Sequence, residues 1–170
     1  NIYRRSLVYL LSATFERMMP DYELMVDHSI HSGGLFCRIK GPELQDPKGF
    51  YKKLQTEMQA TIDTNLPILR VKLTIEEAQA LFTSKHQQEK ADLLKYRKKE
   101  YLTAYKLGDF VDYHYGYMVP STGYLKVFGI EPAGRPNEFF LRYPSDGKSN
   151  VIQKLDESSK MMSEFRRYGD

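Results

Sequence analysis

Apolar residues recur at positions 7, 8, 10, 11, 15, 18 and 19, a helical period that predicts a buried opening helix from Tyr3 to Met19, closed by Pro20 and Asp21. The period then shortens. Tyr22 to Val26 and Leu35 to Ile39 are β-prone runs, and the stretch between them, with His28, His31 and the Gly33-Gly34 pair, suits a hairpin connection. Asp46 is a good N-cap with Pro47 at the first helical position, and Phe50, Leu54, Met58 and Ile62 follow at spacings of four. A second amphipathic helix is therefore predicted to about Thr64, lying across the sheet. Leu66 to Leu73 reads as a strand, ended by Thr74, whose spacing to Glu77 is that of a capping box for a helix through Ala78, Leu81 and Phe82. Lys85 to Arg97 is a charged helical stretch with one apolar stripe at Ala91, Leu93 and Leu94. From Lys99 onward the pattern is β-like, through Tyr101 to Leu107, a tyrosine-rich segment, Lys126 to Ile130 and Glu138 to Tyr143. After a polar break, Val151 to Tyr168 reads as a final amphipathic helix that docks on this domain or continues into another. Helices and strands interleaved without regular βαβ units predict an α+β fold, a mostly antiparallel sheet covered by helices. It spans residues 1–148, with the C-terminal helix over 149–170.

The 170 residues suit one domain. A net charge of +3, from 25 basic and 22 acidic residues, gives no global field that demands nucleic acid or an anionic membrane, so any nucleic-acid role must rest on a local patch. The single cysteine, Cys37, excludes an internal disulfide and a multi-cysteine zinc site and points to a reducing, cytoplasmic compartment. Its alternation with Leu35 and Ile39 marks it as a small buried hydrophobe rather than a nucleophile. Arg4-Arg5 and the apolar run after it imitate a signal peptide, yet no small-residue cleavage site follows and the run is too short to span a bilayer. No membrane partner is expected. The chain opens on Asn1 without an initiator Met and reads as a piece of a longer protein. It has no Gly-x-x-x-x-Gly-Lys-Ser/Thr, no Gly-x-Gly-x-x-Gly and no Gly-x-Ser-x-Gly, which removes the usual phosphate cradles and the hydrolase elbow.

Asp109 to Leu125 packs four tyrosines, two aspartates, a histidine, two glycines and a proline into seventeen residues. Two edge strands joined by a Pro-Ser-Thr-Gly turn would explain it, and so would a binding cleft, since Tyr, His and Asp offer stacking faces, donors and acceptors. His28 and His31, three apart beside glycines, could share a metal with His114 only if further ligands arrived; otherwise they are solvated loop histidines, and no metal is expected. His86 falls at a polar helix junction and reads as surface. Lys85, Lys90, Lys95, Arg97, Lys98 and Lys99 beside Tyr96, Tyr101 and Tyr105 could track a phosphate backbone, but Glu89, Asp92 and Glu100 dilute the patch and favour a solvated helix face.

The order of motifs resembles the second N-terminal, editing domain of threonyl-tRNA synthetase. The motifs are the helix ending Met-Met-Pro20, Gly33-Gly34-Leu-Phe-Cys, the helix around Lys52-Lys53-Leu-Gln-Thr-Glu-Met, the Glu-Glu-Ala78 helix start, Lys90, and Val111-Asp112 leading to Val119-Pro120. Tyr3-Arg-Arg-Ser-Leu-Val, with Asp112-Tyr-His-Tyr-Gly-Tyr-Met-Val-Pro-Ser-Thr-Gly-Tyr124, is similar to the version of that domain fused ahead of a bacterial uridine or nucleoside kinase. The resemblance implies that the editing pocket's His-x-x-x-His and Cys-x-x-x-His positions are here Tyr9, Ala13, His114 and Met118, with Lys90 and Asp112 matching. A phenol, a methyl and a thioether cannot do the proton transfers of deacylation at neutral pH. The expectation is thus a catalytically silent accessory domain that binds a nucleoside, nucleotide or RNA, or packs against its own C-terminal kinase domain. ATP and Mg belong to that parent kinase and no cofactor to this fragment. An editing hydrolase using Lys90, Asp112 and His114, and a structural or homodimerisation module, are the alternatives. The candidate cleft comprises Tyr9, His28, His31, Lys90, Asp112, Tyr113, His114, Tyr117, Ser121 and Thr122.

Overall fold

A computed structural model describes residues 1–31 and 33–144. Helix α1 (Ile2–Met18) starts where the Asn1 side chain accepts from Arg4 N at 3.1 Å. Its buried face is broad and includes two hydroxyl residues, Ser6 and Thr14, which donate to the carbonyls of Ile2 and Leu10 one turn back at 2.7 and 2.8 Å. The hairpin of β1 (Glu23–Ile30) and β2 (Gly34–Lys40) follows. Strand β1 runs past His28, so the connection is shorter than the sequence suggested. A Cβ on Gly34, which has φ 152°, would stand 2.6 Å from the Leu141 carbonyl oxygen, so only glycine allows that strand to pair so closely.

Helix α2 (Pro47–Thr64) is bounded as its caps predict: Asp46 accepts from Gly49 N at 3.2 Å, and Asn65 ends it in the left-handed region at φ 54°. Strand β3 (Leu69–Thr74) leads into α3 (Ile75–Ser84) through a complete capping box between Thr74 and Glu77. The single charged helix expected over Lys85–Arg97 is not formed. His86 takes a left-handed φ of 59°, after which α4 covers only Gln88–Leu93 and passes into a 3₁₀ turn, Leu94–Tyr96. Ala91 and Leu94 are buried, but Leu93 is 66% exposed, so the apolar stripe is too thin to hold a longer helix on the core. Strands β4 (Tyr101–Leu107) and β5 (Phe110–Asp112), a 3₁₀ turn at Thr122–Tyr124, and β6 (Gly129–Pro132) with β7 (Glu138–Arg142) complete the described elements.

The fold is α+β and its strand pairs are antiparallel, arranged as two sheets rather than one: β1-β2-β7-β6 and β3-β4-β5. The main core lies where α1 and α2 cover the four-stranded sheet, with Leu7, Leu11, Leu54, Met58, Phe139 and Leu141 fully buried. Cys37 joins it, 0% exposed, and burial raises its thiol to about 12. A second, smaller core of Ala78, Phe82, Ala91, Leu94 and Leu102 lies between α3, α4 and the three-stranded sheet. Among the described residues no helix is long and apolar enough to cross a membrane. The helix expected over 151–168, and with it the boundary at 148, lies outside the described residues.

Thr122 joins two connections. Its hydroxyl donates to Thr61 O and accepts from Leu66 N, at 2.8 and 2.9 Å, in a site that is 0% exposed. Thr122→Val keeps the shape but strands both backbone groups, so a loss of about 1–3 kcal/mol is expected in urea denaturation; an unchanged midpoint would contradict the bridge.

Candidate functional site

Beside α1, the segment after β4 is shaped by side chains reaching back to that helix. Tyr9 is 1% exposed and donates to the Tyr105 carbonyl at 2.5 Å, with Phe110 O further off at 3.5 Å. Its ring meets Phe110, His114 and Tyr105 edge-on at 5.2, 6.2 and 6.4 Å. Burial raises its phenol well above the usual range, and the negative Asp112 adds to that. Tyr9 is thus a fixed donor to the backbone, with no proton to exchange at neutral pH. Half-buried Ala13 and Met118 also pack on the main core, and the His114 ring stands against that of Tyr9.

Asp112 ends β5, and its carboxylate accepts from Tyr113 N at 2.8 Å, the only hydrogen bond it makes among the described residues. Burial raises its pKa, opposed first by Lys85, then by the Tyr113 N–H and by Lys90. Lys85 is itself committed: its ammonium pairs with Glu16 at 2.9 Å and lies 4.3 Å from the centre of the Phe110 ring. Lys90 is exposed, with its ammonium 5.9 Å from the Phe82 ring centre. His114 is half-buried, and its Nδ1 is shut away without a hydrogen-bond partner. Burial lowers the imidazole's pKa, with the Tyr115 backbone opposing and the Arg5 charge reinforcing the shift. At neutral pH the site offers a carboxylate, a neutral imidazole and nearby ammonium groups.

The structure brings Tyr9, Asp112 and His114 together and sets the exposed Tyr113 and Tyr117 in the adjoining loop. Only Phe110–Asp112 of the tyrosine-rich segment is a strand, so the reading as two edge strands joined by a turn does not hold. Beyond it, backbone groups are satisfied by side chains rather than by a ladder: Tyr105 Oη donates to Gly116 O at 2.7 Å, Arg5 Nη1 to Tyr117 O at 2.6 Å, and Val119 N to Ser6 Oγ at 2.8 Å. Ser121 forms a single bridge with Pro67, and Thr122 is a buried structural residue. His28 and His31 belong to the hairpin of the other sheet; His28 stacks on Phe36 at 5.4 Å. Among the described residues no three His, Cys, Asp or Glu side chains are placed to hold a metal ion. Two open grooves elsewhere, of about 770 and about 720 Å3, contain none of these residues. Arg5, Ser6 and Glu16 are neighbours of this site that the sequence did not single out, and Lys85 appeared there only as part of the basic patch. The only signals were Arg4-Arg5, which reads as a signal-peptide mimic, and a charged stretch that reads as solvated.

No family model matches the chain. It is similar instead to part of a class of larger proteins, the threonine–tRNA ligases. Threonine–tRNA ligase 2 of Bacillus subtilis is 30% identical over 155 residues, 91% of this chain and 23% of that protein. The threonine–tRNA ligase of Carboxydothermus hydrogenoformans is 32% identical over 131 residues, 76% of this chain and 20% of that protein, and that of Lawsonia intracellularis is 26% identical over 127 residues, 75% and 20%. The chain thus spans about a fifth to a quarter of the length of these relatives. They correct the expectation of a uridine or nucleoside kinase, with its transferase and ATP-binding character: the relatives are threonine–tRNA ligases, not uridine kinases.

The two ionisable groups carry opposite pH signatures. The folded-state pKa of His114 lies below its usual 6.5, so between the two values the unfolded chain binds more protons and stability falls as pH drops through about 6.5. Asp112, raised from 3.8, lowers stability as pH rises from that value towards its folded one. Comparing denaturation midpoints at neutral and mildly acidic pH, His114→Gln should lose less stability than wild type; equal losses would refute the desolvated imidazole.

Proposed function

We propose that the chain is an aminoacyl-tRNA editing-like domain that binds the aminoacylated 3′ end of threonine tRNA in the cleft between α1, β5 and residues 113–119, as one domain of a longer protein. It holds that end without hydrolysing it. The similarity to threonine–tRNA ligases supports the tRNA, and the locked Tyr9 hydroxyl, at a position where the resemblance implies a catalytic histidine, carries the absence of hydrolysis. With Tyr9 fixed, the cleft keeps one imidazole and one carboxylate. Asp112 suits the α-ammonium of an aminoacyl ester, since among the described residues its carboxylate accepts only one hydrogen bond, while Lys85 and Lys90 favour its ionised form. Residues 1–148 are the binding unit in this reading and 149–170 lead out of it. The reading places the chain where tRNA is charged, in keeping with its lone free thiol.

Fluorescence anisotropy tests the binding with threonine tRNA carrying a non-hydrolysable amide-linked amino acid at its 3′ end. Wild type should bind it more tightly than bare tRNA, and Asp112→Asn should weaken the charged form about tenfold, the size of one lost charge-assisted hydrogen bond. Equal affinity for charged and bare tRNA would sink the binding. Mischarged threonine tRNA should release its amino acid no faster than in buffer; accelerated release abolished by Asp112→Asn or His114→Gln would instead establish a hydrolase.

A further inference from the structure

Residues 113–118 alternate although they are not a strand. His114 and Met118 are half-buried, whereas Tyr113, Tyr115 and Tyr117 are 39%, 82% and 66% exposed. The backbone beneath these rings is pinned: Tyr113 N to the Asp112 carboxylate, Gly116 O to the Tyr105 hydroxyl and Tyr117 O to Arg5. Gly116 is essential to this seat, because at its φ of 97° a Cβ would lie 2.6 Å from the Arg5 guanidinium carbon. Three large rings left in water on a rigid support are not explained by packing, since rings needed only for stability would be buried.

A cation meets one of the rings. The Arg70 guanidinium carbon lies 5.5 Å from the centre of the Tyr117 ring. In the β3–β4–β5 register Arg70, Tyr105 and Asp112 share a row, and Lys72, two residues along β3, shares their face; Arg70 and Lys72 are both exposed. Among the described residues none of Arg5, Arg70 and Lys72 is in an ion pair. Stacking faces beside unpaired cations complement a polyanion whose bases are free, because a duplex would bury the faces that tyrosines can cover.

We propose that Tyr113, Tyr115 and Tyr117, with Arg5, Arg70 and Lys72, form a platform for single-stranded RNA beside the cleft. Resting on the reading above, it seats the unpaired nucleotides that precede the terminal aminoacyl-adenosine. Stacking takes bases with little regard to sequence, while Arg70 and Lys72 follow the phosphates.

The test uses two probes on the whole chain: a short single-stranded RNA with the sequence of the tRNA 3′ end but no amino acid, and a non-hydrolysable aminoacyl-adenosine alone. Tyr115→Ala and Tyr117→Ala should each weaken the RNA by roughly five- to a hundredfold, the range for one lost base stack. Tyr115→Phe should retain affinity, since the ring and not the hydroxyl stacks. Arg70→Ala should flatten the salt dependence of log K by about 0.7, one phosphate contact on a single strand. Unchanged RNA affinity in both alanine variants overturns the platform while leaving the cleft reading intact, as does equal affinity for a duplex of the same sequence. RNA binding that depends on the tyrosines without any binding of aminoacyl-adenosine supports the platform and removes the cleft reading. A dimer in sedimentation that Tyr115→Ala dissociates, with no RNA affinity, assigns the rings to a second copy and overturns the proposal.

Discussion

Helix α1 supplies the polar groups that allow the chain from Tyr105 to Val127 to exist as a shaped surface. Within its first nine residues Tyr3 exchanges two hydrogen bonds with Val127, Ser6 receives the Val119 N–H, Arg5 holds Tyr117 O and Tyr9 holds Tyr105 O. A segment that leaves its sheet after Asp112 loses the ladder that would satisfy its backbone, and buried backbone groups must find partners elsewhere. Here Tyr117 O and Val119 N find them on one helix, more than a hundred residues earlier in sequence, and Gly116 O, Pro120 O and Thr122 N find theirs on Tyr105, Ile68 and Leu66. The hydroxyls that make α1 look poorly apolar for a buried helix are therefore the reason it can be buried.

This dependence separates what the sequence discloses from what it hides. Asp46 with Pro47, and Thr74 with Glu77, announce their helices because a cap is settled within four residues. The division into two sheets is not announced, since it turns on which distant strands pair. The stretch 85–97 misleads for a local reason: three apolar residues suggest a stripe, but Leu93 points away from the core and His86 turns the chain. In the cleft, Asp112 and His114 are legible by resemblance and by their unusual company. Arg5 and Ser6 are not, because their meaning appears only when Tyr117 and Val119 lie over them.

The site and the loop beside it divide between two chemistries. Inward, burial drives Asp112 and His114 towards their neutral forms, with lysines holding the former back. Outward, Tyr113, Tyr115, Tyr117 and Arg70 stay in water. The alternation along one short loop lets a small domain present half-buried ionisable groups and exposed rings side by side.

Tyr9 carries a consequence for engineering. Its hydroxyl completes the β4 backbone and its ring packs on Phe110, so it has become part of the frame. An imidazole has its nitrogens nearer the backbone than the phenolic oxygen and cannot reach Tyr105 O from the same rotamer. Replacing Tyr9 by histidine would leave the Tyr105 carbonyl of β4 without that donor and remove the ring packed on Phe110. The position is entrenched: a fold built around that phenol can change it only by changing its neighbours as well.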